Sequence, residues 1–138
     1  MGARSLGLNK RIRVLIADDH PVVRKMVRAT LQNQTNVEVC GEATNGAEAI
    51  EQARRSNPDV VVLNISMPVL NGLEAARAIR TELPRSAIVI LSSNTDRKFV
   101  EEARKVGVQV YVTKSKAGEA LVKAVEAAVQ GEDFVVLE

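Results

Sequence analysis

The chain has 138 residues, 46% hydrophobic and 26% charged, with a net charge of +2. This suits one globular domain with a single sizeable core, and no apolar run approaches the roughly 18 residues that a membrane span needs. The basic residues are scattered (Arg24, Lys25 and Arg28; Arg54 and Arg55; Arg77 and Arg80) and read as solvated helix faces, which argues against DNA binding by this chain alone.

Aromatic residues make up only 2%, so Val, Ile, Leu and Ala must build the core. Cys40 is the sole cysteine; it cannot form an intrachain disulfide and reads as a small core residue in a reducing cytosol. The first residues lack the apolar middle of a secretory signal, so a cytoplasmic protein is expected. Residues 1 to about 10 carry no periodic pattern and are expected to be a flexible leader.

Ile12 to Ala17 reads as a first buried strand, stopping at Asp18-Asp19-His20. Pro21 suits a first helical turn, where its missing N–H is no loss. The apolar stripe Val22, Val23, Met26, Val27 and Leu31 then predicts one buried helix face. Val37 to Gly41 is a second strand. Asn45-Gly46-Ala47-Glu48 is a cap with Glu three places on, opening a helix to about Ser56 that Pro58 closes.

Asp59 to Gly72 reads DVVVLNISMPVLNG. Val60 to Leu63 is too short for a helix and rich in β-branched residues, which predicts a strand buried on both faces. It ends at Asn64, and Asn71-Gly72-Leu73-Glu74 starts a helix to about Leu83, stopped by Pro84. Ala87 to Leu91 is a fourth strand, ending at Ser92-Ser93. Asp96 caps a helix through Val100, Ala103 and Val106, with Gly107 past its end. Val108 to Val112 is a fifth strand, ending at Thr113-Lys114, and a last helix runs from about Lys116 to Gln130, ended by Gly131.

Alternating strands and helices with short links predict an α/β protein: a doubly wound, flavodoxin-like (βα)5 parallel sheet of order 2-1-3-4-5. The domain is expected over residues 11–131, with 132–138 a tail or the start of a linker to an output domain. In such a sheet the strand ends share one edge. Asp18 and Asp19, Asn64, Ser92 and Lys114 should converge there, beside the switch point between the first and third strands. Each alone has a structural explanation as a cap, a turn residue or a solvated strand end. Jointly they suggest a hard-cation and phosphoryl site, because Mg²⁺ takes a few oxygens and a lysine and a hydroxyl can hold phosphoryl oxygens.

The motifs Ile16-Ala17-Asp18-Asp19-His20, Asn64-Ile65-Ser66-Met67-Pro68 with Asn71-Gly72, Ile90-Leu91-Ser92 and Tyr111-Val112-Thr113-Lys114 resemble the receiver domain of bacterial two-component response regulators, from Arg11 to about Gly131. The Asp-Asp-His start and the Lys114-Ser115 pair are most similar to the NarL/LuxR type, in which a DNA-binding domain follows the receiver. The resemblance implies a non-enzymatic phosphorelay module controlling transcription. Its implied partners are a sensor histidine kinase, DNA through an output domain outside this chain, and in some cases a second copy in a homodimer. It implies Mg²⁺ at Asp18, Asp19, position 64 and the Ser66 carbonyl, with Asp19 the more direct acidic ligand. Ser92 and Lys114 would contact the phosphoryl group, and Tyr111 would change rotamer with activation.

The family's phospho-acceptor is an aspartate, and here that position is Asn64. An amide lacks the nucleophilic carboxylate oxygen and removes one negative charge, so phosphorylation there is not expected and Mg²⁺ should bind more weakly. Three readings stand: a receiver that signals without phosphate, an ordinary receiver whose acceptor has been replaced, and a plain interaction module. The otherwise complete pocket argues against long decay. A Mg²⁺-dependent phosphohydrolase or flavodoxin-like protein could share the fold, but no glycine-rich phosphate loop follows the first strand.

Overall fold

The Val60–Leu63 stretch is fully buried and sits in the middle of the sheet, as its apolar run requires. Around it the computed structural model describes residues 11–94, 96–131 and 133–138; the expected leader lies outside these residues. The elements are β1 (Ile12–Ala17), α1 (Pro21–Gln32), β2 (Val37–Ala43), α2 (Gly46–Ser56), β3 (Val60–Asn64), α3 (Gly72–Glu82), β4 (Ala87–Ser92), α4 (Arg97–Val106), β5 (Val110–Thr113), α5 (Ala117–Gln130) and β6 (Val135–Leu137). A 3₁₀ turn, Lys114–Lys116, leads into α5.

The strands lie in the order β2-β1-β3-β4-β5-β6, and every pairing is parallel. The expected order of the first five holds. The sixth strand is an addition. Val135–Leu137 pairs with Val110–Val112, inside the stretch expected to be a tail.

Successive side chains of each strand serve opposite faces. Val14, Ile16, Val62, Val89, Leu91 and Val112 meet Val27 and Leu31 of α1 and Leu121 and Val125 of α5. Leu15, Leu63, Ile88, Ile90 and Tyr111 meet a surface of small residues on α2, α3 and α4, among them Ala49, Ala53, Ala75, Ala76 and Ala103. Alanines on the helices let backbones approach a sheet of large β-branched residues, which is how a core almost without aromatics packs densely. Cys40 is the extra residue of a bulge between β1 and β2, half-buried, with its Sγ 3.9 Å from Ser56 Oγ. Burial pushes its thiol pKa up, which fits a packing role.

Two expectations from the sequence need correction. Val22 is 81% exposed and Met26 is exposed as well, so the buried stripe of α1 is the narrower Val23, Val27, Leu31 row. The i, i+4, i+8 row faces the sheet, and Val22, in the first turn, lies outside it. Arg24 and Arg28 are also not merely solvated. Arg24 Nε sits 3.0 Å from Glu42 Oε1, and Arg28 pairs with the other oxygen of the same carboxylate, tying α1 to β2.

The helix starts follow their cap signals. Asn71 Oδ1 accepts from Glu74 N at 2.9 Å and Glu74 Oε1 accepts from Asn71 N at 3.0 Å, a complete capping box. At α2 the cap is half of one: Asn45 Oδ1 accepts from Glu48 N, but the Glu48 carboxylate reaches back to Thr44 N. Gly107 and Gly131 end α4 and α5 in the left-handed region, with φ of 99° and 70°.

Candidate functional site

Parallel pairing carries the carboxyl ends of β1, β3, β4 and β5 to one edge. Asp18 follows β1, Asn64 ends β3, Ser92 ends β4, and Lys114 follows β5. Asp18, Asn64 and Ser92 are polar yet only 2%, 3% and 4% exposed. Buried polar side chains require partners.

Asn64 finds its partners among the residues the sequence assigned to a cation. Its Nδ2 donates to the Ser66 carbonyl oxygen at 2.9 Å, and lies 3.3 Å from Asp19 Oδ1 and 3.4 Å from Asp18 Oδ1. Asp18 Oδ1 also accepts from the His20 backbone N–H at 2.9 Å. His20 Nδ1 lies 3.2 Å from both Asp18 Oδ1 and Asp19 Oδ1. Carboxylate oxygens only accept, so this ring nitrogen carries the proton whenever the contacts are hydrogen bonds. Lys114 Nζ stands 3.5 Å from Asp18 Oδ2, a buried oxygen with no hydrogen-bond partner. All five expected side chains thus reach the edge. Asp18, Asp19, Asn64 and Lys114 form one contiguous polar cluster, and the Ser66 carbonyl belongs to it.

Ser92 is engaged differently. Its Oγ accepts from Asn94 N at 3.0 Å, and the Asn94 carbonyl accepts from the Tyr111 hydroxyl at 2.6 Å. The strand-end hydroxyl and the phenol are therefore linked through one residue of the β4–α4 loop. The Tyr111 side chain points inward and is fully buried.

Burial raises the Tyr111 phenol pKa above its usual value, and the Ser92 hydroxyl partly offsets this. A group whose pKa is raised on folding contributes stability that is full below the unfolded pKa and is lost as pH rises through the folded one. Stability should therefore fall above about pH 10, and Tyr111→Phe should remove that part of the alkaline loss. As Tyr111 is the only tyrosine, its absorbance titration reads the shift directly. A native midpoint equal to that of the urea-unfolded chain would contradict the buried placement.

Several site features were not anticipated from the sequence. Gly72, at the start of α3, packs against the Asn64 carbonyl, so that an added Cβ would lie 2.1 Å from that oxygen. The Gly72 N–H donates to Ile65 O at 2.8 Å. Arg24 Nη1 donates to the Asp18 carbonyl at 2.8 Å, holding the end of β1. Val69, in the loop after β3, has φ of 69° and is exposed, a strained conformation for a β-branched residue. The Asn71-Gly72 pair signalled a helix start, and nothing local signalled the close approach.

Asp18, Asp19 and His20 bring ligand-type atoms within 4.8 Å of one another, so an acidic pocket of the kind that holds a divalent cation is present. Mg²⁺ requires oxygens at about 2.0–2.1 Å in near-octahedral array. Here the Asn64 amide N–H bonds point at the Asp18, Asp19 and Ser66 oxygens, and the ion and this donor would need the same space. Asp18 Oδ1 is already shared by the His20 N–H and the amide, and Asp18 Oδ2 faces a cation. As arranged, these residues do not fit Mg²⁺.

Comparisons with known proteins agree with this fold. The family model described as response regulator receiver domain matches residues 14–126. The chain is 39% identical over 126 residues to the uncharacterized transcriptional regulatory protein YxjL of Bacillus subtilis, covering 91% of this chain and 58% of that protein. It is 32% identical over 125 residues to the transcriptional regulatory protein DegU of Brevibacillus brevis, covering 91% and 53%. The chain thus spans little more than half the length of these relatives. A crystal structure of a LuxR-family two-component response regulator from Aurantimonas sp. SI85-9A1 superposes with a TM-score of 0.85 at 33% identity, covering 91% of this chain and 89% of that one.

Proposed function

The chain belongs to the response regulator receiver domain family, and from that premise we propose that it is the signal-receiving unit of a two-component transcriptional regulator whose phospho-acceptor has become Asn64. The observation that carries this reading is the position of Asn64. It ends the central strand β3, at the switch point with β1, in contact with Asp18, Asp19 and the Ser66 carbonyl. A carboxylate at that point would be an acceptor beside an acidic pair. The asparagine cannot be, because its amide nitrogen is not nucleophilic and its carbonyl oxygen is a poor nucleophile beside a carboxylate. Residues 11–131 form the receiver in this reading.

The site residues take these roles. Asp18 and Asp19 form the acidic pair, with the Ser66 carbonyl beside it. Ser92 and Lys114 are the groups that would meet phosphoryl oxygens. Tyr111, joined to Ser92 through Asn94, reports the state of the site toward α4, β5 and α5. The expected partners are a sensor histidine kinase in the cytoplasm, and DNA through an output domain outside this chain. Among the described residues no helix is long and apolar enough to cross a membrane. No catalytic turnover is proposed for this chain.

A second reading, an interaction module independent of phosphorylation, is favoured by one observation: the Asn64 amide is already satisfied without any ligand. Incubation with acetyl phosphate and Mg²⁺, read by intact mass, tests the first reading against the second. The native chain should gain no phosphoryl group at this site and Asn64→Asp should gain one. If Asn64→Asp stays unlabelled while folded, the pocket is not a working phospho-acceptor site and the interaction module takes precedence.

A further inference from the structure

We infer that the Asn64 side-chain amide stands in for the divalent cation, so that this receiver assembles its acidic pocket without metal. The inference rests on the pocket assignment above and goes beyond loss of the acceptor. A missing acceptor predicts only that one ligand is weaker. The geometry says more, because the amide points its donors at the oxygens that a cation would otherwise gather.

The donor count supports this. A cation at this edge would draw together Asp18 Oδ1, Asp19 Oδ1 and the Ser66 carbonyl. Asn64 Nδ2 already lies 3.4, 3.3 and 2.9 Å from these three atoms. An amide NH₂ carries two hydrogens with partial positive charge, enough for the short bond to Ser66 and one shared between the two carboxylates. The amide carries no net charge, and Asp18 draws further compensation from within the chain. Lys114 Nζ is 3.5 Å from Asp18 Oδ2, and the His20 backbone N–H donates to Asp18 Oδ1. The alternative amide orientation would turn Asn64 Oδ1 toward the Asp18 and Asp19 carboxylates, placing acceptor against acceptor and leaving the Ser66 carbonyl without this donor. The hydrogen-bond network therefore selects the orientation seen.

The consequence is a conformation that does not depend on metal. Since the Asn64 and Ser66 contact fixes the start of the β3–α3 loop, that loop is held in place continuously. In a carboxylate-bearing pocket the same oxygens would repel one another until a cation arrived.

Three chains separate this from simple loss of a ligand: native, Asn64→Asp and Asn64→Ala, each titrated with MgCl₂ by calorimetry and melted in EDTA and in millimolar Mg²⁺. The native chain should show no Mg²⁺-dependent shift in melting temperature. Asn64→Asp should melt lower than native in EDTA and recover by several degrees with Mg²⁺. Asn64→Ala is the decisive variant. It removes an oxygen that could serve as a ligand, yet it clears the donor from the pocket. It should bind Mg²⁺ more tightly than the native chain. If the native chain binds Mg²⁺ as tightly as Asn64→Asp, or if Asn64→Ala binds no better than native, the amide is not a cation surrogate. Circular dichroism of each variant before titration establishes that it is folded, and the native titration stands even where a variant is not. Phosphoryl transfer to Asn64→Asp can fail without altering these outcomes, so the two proposals fail separately.

Discussion

Gly72→Ala is expected to destabilise the protein by about 3 kcal/mol or more and to disrupt the edge around Asn64. The added methyl carbon would lie 2.1 Å from Asn64 O, 2.8 Å from Asn64 C and 2.9 Å from Ile65 Cα. All three atoms are backbone, so no side chain can rotate away. Either the start of α3 moves off β3, breaking the 2.8 Å bond from Gly72 N to Ile65 O, or the end of β3 shifts and carries Asn64 with it. The glycine is required by this approach and not by its dihedral angles, since φ is not positive there. Gly118→Ala gives the contrast. It lies in α5 with nothing within 4 Å of the added carbon, and should stabilise by about 0.5–1 kcal/mol through helix propensity. Urea unfolding of the two alanine variants measures both signs at once. Equal midpoints for Gly72→Ala and native would mean that the α3 start is looser than described.

Lys114→Met should cost about 3 kcal/mol. The methionine keeps the unbranched, flexible stem, one atom shorter, and removes the charge. Asp18 is buried, and its Oδ2 has no hydrogen-bond partner, only the Lys114 ammonium at 3.5 Å. Removing one member of such a pair leaves the buried carboxylate without an ionic partner, with only the His20 N–H and the Asn64 amide at its other oxygen, which is costlier than the pair itself is favourable. The Lys114 side chain is 19% exposed, so water recovers part of the loss and the effect falls short of that for a fully buried pair. Asp18→Asn in the Lys114→Met background should return much of the stability, because the unpaired charge is then gone. A double-mutant cycle in urea measures the coupling. A loss below about 0.5 kcal/mol for Lys114→Met would place the pair among ordinary surface ion pairs, and Lys114 would revert to a solvated strand-end lysine.

The elements and their order were legible in the sequence, for a local reason. A β-branched apolar run, a 3.6-residue stripe and a cap residue with Glu three places on are each complete within a dozen residues. Thus the Val60 strand, the Asn71 capping box and the Gly107 and Gly131 helix ends all form where their signals stand. Alternation of strand and helix with short links, the pattern of a doubly wound sheet, then brought the order of the first five strands within reach. From that order, the convergence of Asp18, Asn64, Ser92 and Lys114 on one edge followed.

What stayed hidden depends on partners distant in sequence. The helical stripe included Val22 and Met26, but only the sheet decides which side of α1 is covered, and both are left exposed. The three residues of β6 are too few to show a period, and they become a strand only because β5 offers an unpaired edge. The glycine at 72 marked a helix start locally, whereas its need to be glycine comes from the Asn64 carbonyl lying against it. Composition could say that position 64 has an amide in place of a carboxylate. Only the folded chain, bringing Asn64 to residues 45 and 46 positions away, shows that amide donating to the oxygens of the acidic pair. The sequence by itself determined which chemical groups stand at the edge; the tertiary structure decided which of them neutralise one another, because hydrogen bonds and ion pairs form across space between strands that the chain order alone does not bring into contact.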